Sequence, residues 1–274
     1  MRRRRVAGRI VLALILWVIA ITVLVPFWMM LIGSLKDARE SAVPTVSLPT
    51  TWHFENYLLV FQRADIGRAL YNSLLTTVLS VVLTVVVSAA AALYIARVNT
   101  RGTRLIYNAF SIGLIAPVSM IPTIKLMQFL QIANTFGSVI LLFCALNIPL
   151  TVFLCTGFVK SIPRELDEAS ALDGCTSFGL LRRVIFPLMV PVVMTCAIIV
   201  FMGVWNSFMI PLYFLNNSAK WTLPLTVYNF FGQYSRDWNL VFADLVITSL
   251  PVVLFYLAAQ RYIISGMTAG AVKG

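Results

Sequence analysis

Six long runs of almost uncharged residues divide the chain, at 10–33, 69–96, 105–124, 136–159, 186–215 and 240–260. Each has 20 or more residues, the length that crosses a bilayer as a helix. The first, Ile10 to Gly33, has 24 residues, about 36 Å at 1.5 Å per residue. A basic start before an apolar run also describes a secretory signal. This run is too long for that, and no A-x-A site follows it, so the pattern predicts an uncleaved first helix. The second run is long enough to tilt. Pro117 and Pro122 predict a kink near the outer end of the third. Between runs, 34–68 reads as a mixed loop with one short surface helix over 56–63. Arg97, Arg101 and Arg104 mark a short turn around Gly102, and 125–135 is a short connection.

The expected fold is therefore an all-α polytopic membrane protein with six transmembrane helices. Composition agrees: of 274 residues, 60% are hydrophobic and 11% charged, with a mean hydropathy of +0.91. An ordinary soluble domain is excluded. The net charge of +11 does not point to nucleic acid, because the basic residues sit at the ends of apolar runs. That placement signals topology. With both termini in the cytoplasm, fourteen of the 21 lysines and arginines fall inside and seven outside. The four cysteines (Cys144, Cys155, Cys175, Cys196) form no CxxC, and His53 is the single histidine, in an outer loop. Neither a disulfide framework nor a metal site is expected.

One charge-rich stretch, Ser161 to Pro191, lies between two strongly apolar runs. Read locally it is two short helices with a break. Ser161 can cap the first, Pro163 suits its first turn, and Glu165, Asp167 and Glu168 lie near its positive end. Ala169, Ser170 and Ala171 keep it slim. Gly174 stops it in the left-handed conformation, with Asp173 beside it. Thr176 or Ser177 recaps, and Arg182 and Arg183 lead into Pro187. On composition alone this is a solvated connector.

No span holds a carboxylate or base at its centre; Asp244 lies near the outer end of the sixth. An ion-coupled carrier uses such a group as its relay, so energy is expected from elsewhere. There is no G-x-x-x-x-G-K-[ST] phosphate loop and no nucleophile–base pair. The chain is thus expected to have no catalytic residue, to bind no cofactor and to be no enzyme. Asn72, Asn108, Asn147 and Asn206 punctuate the spans; such residues ordinarily join helices. The alternative is a path for a neutral, hydroxyl-rich solute, with Trp205 able to stack on a sugar face.

Glu168-Ala169-Ser170, Asp173-Gly174 and Pro187 resemble the EAA loop of ABC-importer permeases, with Ser170 and Cys175 standing where alanine is usual. The end of the chain, Gln260 to Gly274, is similar to the MalG-type subunit of maltose-type importers; Asn56-Tyr57 and Asn72-Ser73 agree with it. The resemblance implies the type I importer fold over 1–274, with 161–191 as a cytoplasmic coupling loop that docks on the ATP-hydrolysing subunit. Its contacts would come from Glu165, Glu168, Ala169, Ser170, Asp173 and Gly174, with Glu168 making a charge-assisted one. The tail, at Gly266, Thr268, Gly270 and Lys273, would reach between the ATPases. The partners implied are a second homologous permease, an ATPase dimer carrying ATP and Mg, and an extracytoplasmic sugar-binding protein. The location implied is the cytoplasmic membrane of a prokaryote. Two rivals are an ABC permease for phosphonates, polyamines or peptides, and a stand-alone facilitator.

Overall fold

In the computed structural model the apolar runs become helices, and the described residues contain no strand. The structure describes the chain except residues 1, 99, 231–236 and 272–274; at 2–8, 10, 171, 177, 178, 181, 259 and 261–271 it describes backbone only. In order the helices are α1 (Arg2–Gly33), α2 (Glu55–Arg63), α3 (Ile66–Arg97), α4 (Arg101–Gly113), α5 (Met120–Phe129), α6 (Phe136–Ser161), α7 (Glu165–Leu172), α8 (Ser177–Leu180), α9 (Phe186–Trp205), α10 (Met209–Phe214) and α11 (Trp238–Ala271). A π-helical turn, Leu181–Ile185, joins α8 to α9. Among the described residues five segments are long and apolar enough to cross a membrane: Val11–Gly33, Ile66–Arg97, Phe136–Ser161, Arg182–Trp205 and Trp238–Ala258.

The expected third span, 105–124, is not one kinked helix. It is α4 and α5, separated by the non-helical segment 114–119. Pro117 sits inside that segment: it lacks an N–H and disfavours helical backbone at Ala116 before it. Pro122 does no such damage, because it falls in the first turn of α5, where its N–H would have no helical partner. The expected connection at 125–135 starts later, since α5 continues to Phe129. The turn expected around Gly102 is likewise helix. Thr100 caps α4, its Oγ1 accepting from the Thr103 N–H at 3.2 Å while Thr103 Oγ1 accepts from the Thr100 N–H at 3.0 Å. The expected fifth span, 186–215, breaks after Trp205, because Pro211 confines helix to a fresh first turn in α10. Beyond the expected end of the sixth span, α11 remains helical to Ala271.

The chain divides into two compact units, Met1–Ala69 with Leu223–Pro251, and Leu70–Thr222 with Val252–Gly274. In the first, every side chain from Val11 to Trp28 on α1 is exposed, an apolar surface that is stable only against lipid or another apolar chain. Asn56 holds this unit together. Its Nδ2 donates to the Ser34 and Lys36 carbonyls, both at 2.9 Å, and its Oδ1 accepts from Asn239 Nδ2 at 2.9 Å. Tyr57 and Ser34 hydroxyls meet at 2.7 Å. Gly33 faces the Phe242 ring so closely that a Cβ there would lie 2.5 Å from Cδ2. Asp244 is buried and accepts from Thr226 Oγ1 at 2.8 Å.

The second unit has two apolar cores. One joins Val85, Ala89, Ala92 and Ala96 of α3 to Cys155 and Val159 of α6 and to Ile185, Met189, Val193 and Cys196 at the root of α9. The small residues on α3 let these helices approach closely. The other core gathers Met127, Val139, Phe143, Val204, Ile210 and Phe214. Gly113 of α4 meets Pro149 of α6, where a Cβ would lie 3.0 Å from the ring.

Candidate coupling site

The segment 161–191 folds as two short helices about a tight turn. Ser161 does not cap the first of them. It ends α6, where its hydroxyl donates to the Phe158 carbonyl at 2.7 Å. The break comes where the glycine is: Gly174 has φ +76°, and the Cys175 N–H returns to the Ser170 carbonyl at 3.0 Å. This is the six-to-one bond of a Schellman ending, which closes α7. Thr176 then caps α8, accepting from the Gly179 N–H at 3.2 Å. The π turn carries Arg182 and Arg183 outward, while Ile185 is fully buried and roots the assembly in the core shared by α3, α6 and α9.

What fixes α7 in place is Arg97, the last residue of α3. Its Nε lies 2.7 Å from Asp167 Oδ2 and its Nη2 donates to Oδ1 at 3.1 Å. Its Nη1 donates to the Ile162 carbonyl at 3.1 Å. One guanidinium therefore holds both the end of α6 and the first turn of α7, with one hydrogen bond and one close ion contact to the same carboxylate. The pair is mostly withdrawn from solvent, with side chains 14% and 21% exposed.

The other side of α7 is open. Glu165, Glu168 and Ala169 are exposed, as are Asp173 and Gly174 in the turn. Leu172 is 89% exposed, an apolar residue at the tip of an acidic helix. Ser170 faces inward, 8% exposed, its hydroxyl donating to the Leu166 carbonyl at 2.7 Å. Five of the six residues expected at the contact thus share the open side, and Ser170 does not.

The residues expected along a solute path each have their own local surroundings. Asn72 is buried and its Nδ2 donates to the Ala219 and Trp221 carbonyls at 3.0 and 2.9 Å. Asn147 donates to the Phe143 carbonyl within α6 at 2.8 Å. Trp205 is buried, stacked on Phe201 at 5.5 Å, and Asn206 is exposed at the end of α9. Asn108 lines a cavity at the start of α4. Sequence reading missed a stripe on α3: Ser80, Thr84 and Ser88, four residues apart, are fully buried. That i, i+4, i+8 spacing was the available signal. In the tail, Gly266, Thr268 and Gly270 lie in the backbone of α11, and Lys273 lies outside the described residues. Among the described residues no cluster could hold a metal ion.

Residues 85–269, which contain the α7 turn and both cores of the second unit almost entire, match the family described as binding-protein-dependent transport system inner membrane component. The chain belongs to that family. Two relatives are similar along most or all of their length. One is the multiple sugar-binding transport system permease protein MsmG of Streptococcus mutans, 36% identical over 260 residues, 92% of this chain and 93% of that one. Another is the melibiose/raffinose/stachyose import permease protein MelC of Bacillus subtilis, 31% identical over 277 residues and the full length of both. A solved bacterial ABC transporter involved in import of the acidic polysaccharide alginate shares the fold, with a TM-score of 0.84 and 22% identity over 96% of this chain and 98% of that one. The inner membrane component is thus a transport permease of type I importer fold, not a catalytic subunit.

Proposed function

We propose that the chain is the permease subunit of an ABC importer for a neutral sugar or oligosaccharide, working in the cytoplasmic membrane with both termini inside. The observation that carries the mechanism is α7: an acidic helix open on one side and clamped by Arg97 on the other. Glu165, Glu168, Ala169, Leu172, Asp173 and Gly174 form the surface that docks on an ATPase subunit, and Glu168 supplies a charge-assisted contact. When the ATPases close on ATP, α7 is displaced. The Arg97–Asp167 pair and the buried Ile185 pass that displacement to α3, α6 and α9 as rigid bodies, so the pathway opens alternately to each side. The five long helices, with α4, 114–119 and α5 together making one more crossing, complete six spans. A single transmembrane domain over 1–274 pairs with a second, homologous permease. The family description supports an extracytoplasmic binding protein as the donor, and the relatives' names support sugars. Gly266, Thr268 and Gly270, in the last turns of α11, reach toward the ATPases together with Lys273 beyond them. Neutral side chains suit a neutral solute, with Asn147 and Asn206, neither of them buried, the candidates to face it.

The test is uptake of a labelled oligosaccharide panel into proteoliposomes. Saturable uptake is expected only with the second permease, the ATPase, the binding protein and ATP present together. Saturable flux through this chain alone would overturn the proposal.

A further inference from the structure

A second feature lies at the residue that leads into the coupling helix. A cavity of about 470 Å³ opens where the end of α3, the start of α4 and the end of α6 meet. That volume is in the range of small-ligand sites. Three cations from three different segments line it: Arg104 on α4, Lys160 on α6 and Arg164 in the link to α7. Thr103, Tyr107 and Asn108 add polar groups, and among the described residues no carboxylate lines it. Lys160 Nζ stands 5.0 Å above the centre of the Tyr107 ring, a cation–π contact that holds the ammonium near the cavity. Three positive charges around one cavity attract an anion into the space between them.

The surroundings say which kind of anion. The cavity lies where α3 and α6, both long enough to span a bilayer, reach the same end. That is the depth of lipid headgroups, where arginine, lysine and tyrosine collect. Next to Arg104 on α4, Leu105 is 71% and Ile106 46% exposed. The site therefore offers cations to a phosphate and an apolar flank to what is attached to it.

We infer that this cavity binds the phosphodiester headgroup of an acidic phospholipid, its acyl chains lying along the exposed face of α4. The inference rests on the membrane-spanning reading but not on which side is cytoplasmic. A phosphate in the cavity would bridge Arg104 of α4 and Lys160 of α6 to Arg164, one residue before α7 begins. It would brace the entry to the coupling helix, at the same end of α3 that carries Arg97.

The test is native mass spectrometry of the assembled transporter from nanodiscs of phosphatidylcholine with phosphatidylglycerol. The wild-type complex should retain phosphatidylglycerol in preference to phosphatidylcholine. The triple variant Arg104→Gln, Lys160→Gln, Arg164→Gln should bind it roughly 100-fold more weakly, from three cations each attracting the acidic lipid. Lys160→Arg should restore binding relative to Lys160→Gln, and Lys125→Gln, a control for charge alone, should change nothing. Equal retention by wild type and triple variant would overturn the inference. So would displacement of the lipid by millimolar inorganic phosphate, which would make the ligand a soluble anion. Presence of the ATPase in the same preparation reads the proposed function separately: its loss with lipid still retained would sink that function and leave the lipid site standing.

Discussion

Removing the Arg97–Asp167 pair should loosen the coupling helix without unfolding the chain. Its side chains are 14% and 21% exposed, between a surface pair worth about 0–1 kcal/mol and a buried one whose single-partner removal costs about 3–5 kcal/mol. Two charge-assisted contacts, at 2.7 and 3.1 Å, place Asp167→Ala at about 2 kcal/mol. At 1.4 kcal/mol per factor of ten, the population with α7 detached rises roughly 30-fold. Arg97→Met should do more, because the Ile162 carbonyl also loses its donor. Amide hydrogen exchange across 165–172 reads that population directly, and the ratio of sugar moved to ATP hydrolysed reads its consequence. Exchange should accelerate roughly 30-fold in Asp167→Ala, and the transport ratio should fall severalfold. The ATPase should still copurify, since the open side of α7 is untouched. Unchanged exchange and an unchanged transport ratio in both variants would refute the clamp.

Gly174→Val should cost about 1–3 kcal/mol through its backbone alone, because φ is +76° and a Cβ there meets nothing within 4 Å. ATPase copurification should fall further than in Glu168→Ala, and Gly174→Asn should retain more of it than Gly174→Val. Gly33→Leu should lower the melting temperature of the purified protein, because its Cβ would collide with the Phe242 ring; Phe242→Ala should recover part of the loss. Asn72→Leu leaves the Ala219 and Trp221 carbonyls without their donor and should cost about 1–3 kcal/mol in thermal stability. Sugar selectivity should not change with it; a changed sugar preference at unchanged stability would put Asn72 on the solute path instead.

Local chemistry was legible in the sequence and distant pairing was not. Gly174 announces a left-handed turn by itself, and the uncharged runs announce helices by length. Arg97 and Asp167 each had a sufficient local explanation, a topology charge and a helix-dipole charge. Nothing within either segment reports that 70 residues later they meet. The prolines at 117 and 122 were visible, but whether a proline kinks or breaks depends on its place in the turn: Pro117 falls in the break and Pro122 in a permitted first turn. Asn72 reads as a span-lining amide because hydropathy does not show the loop carbonyls that fold back onto it. Ser170 looked like part of a slim outer face, and the helical phase set by Asp167 turns it inward.

What touches the open side of α7 decides whether it is a coupling helix. Leu172 is 89% exposed there and can carry a photoreactive side chain without disturbing Arg97 or the core. Irradiation of the assembled complex should join this position to an ATPase subunit, and more strongly when ATP is bound. Adducts to lipid alone, or none, from a complex that contains the ATPase would contradict it.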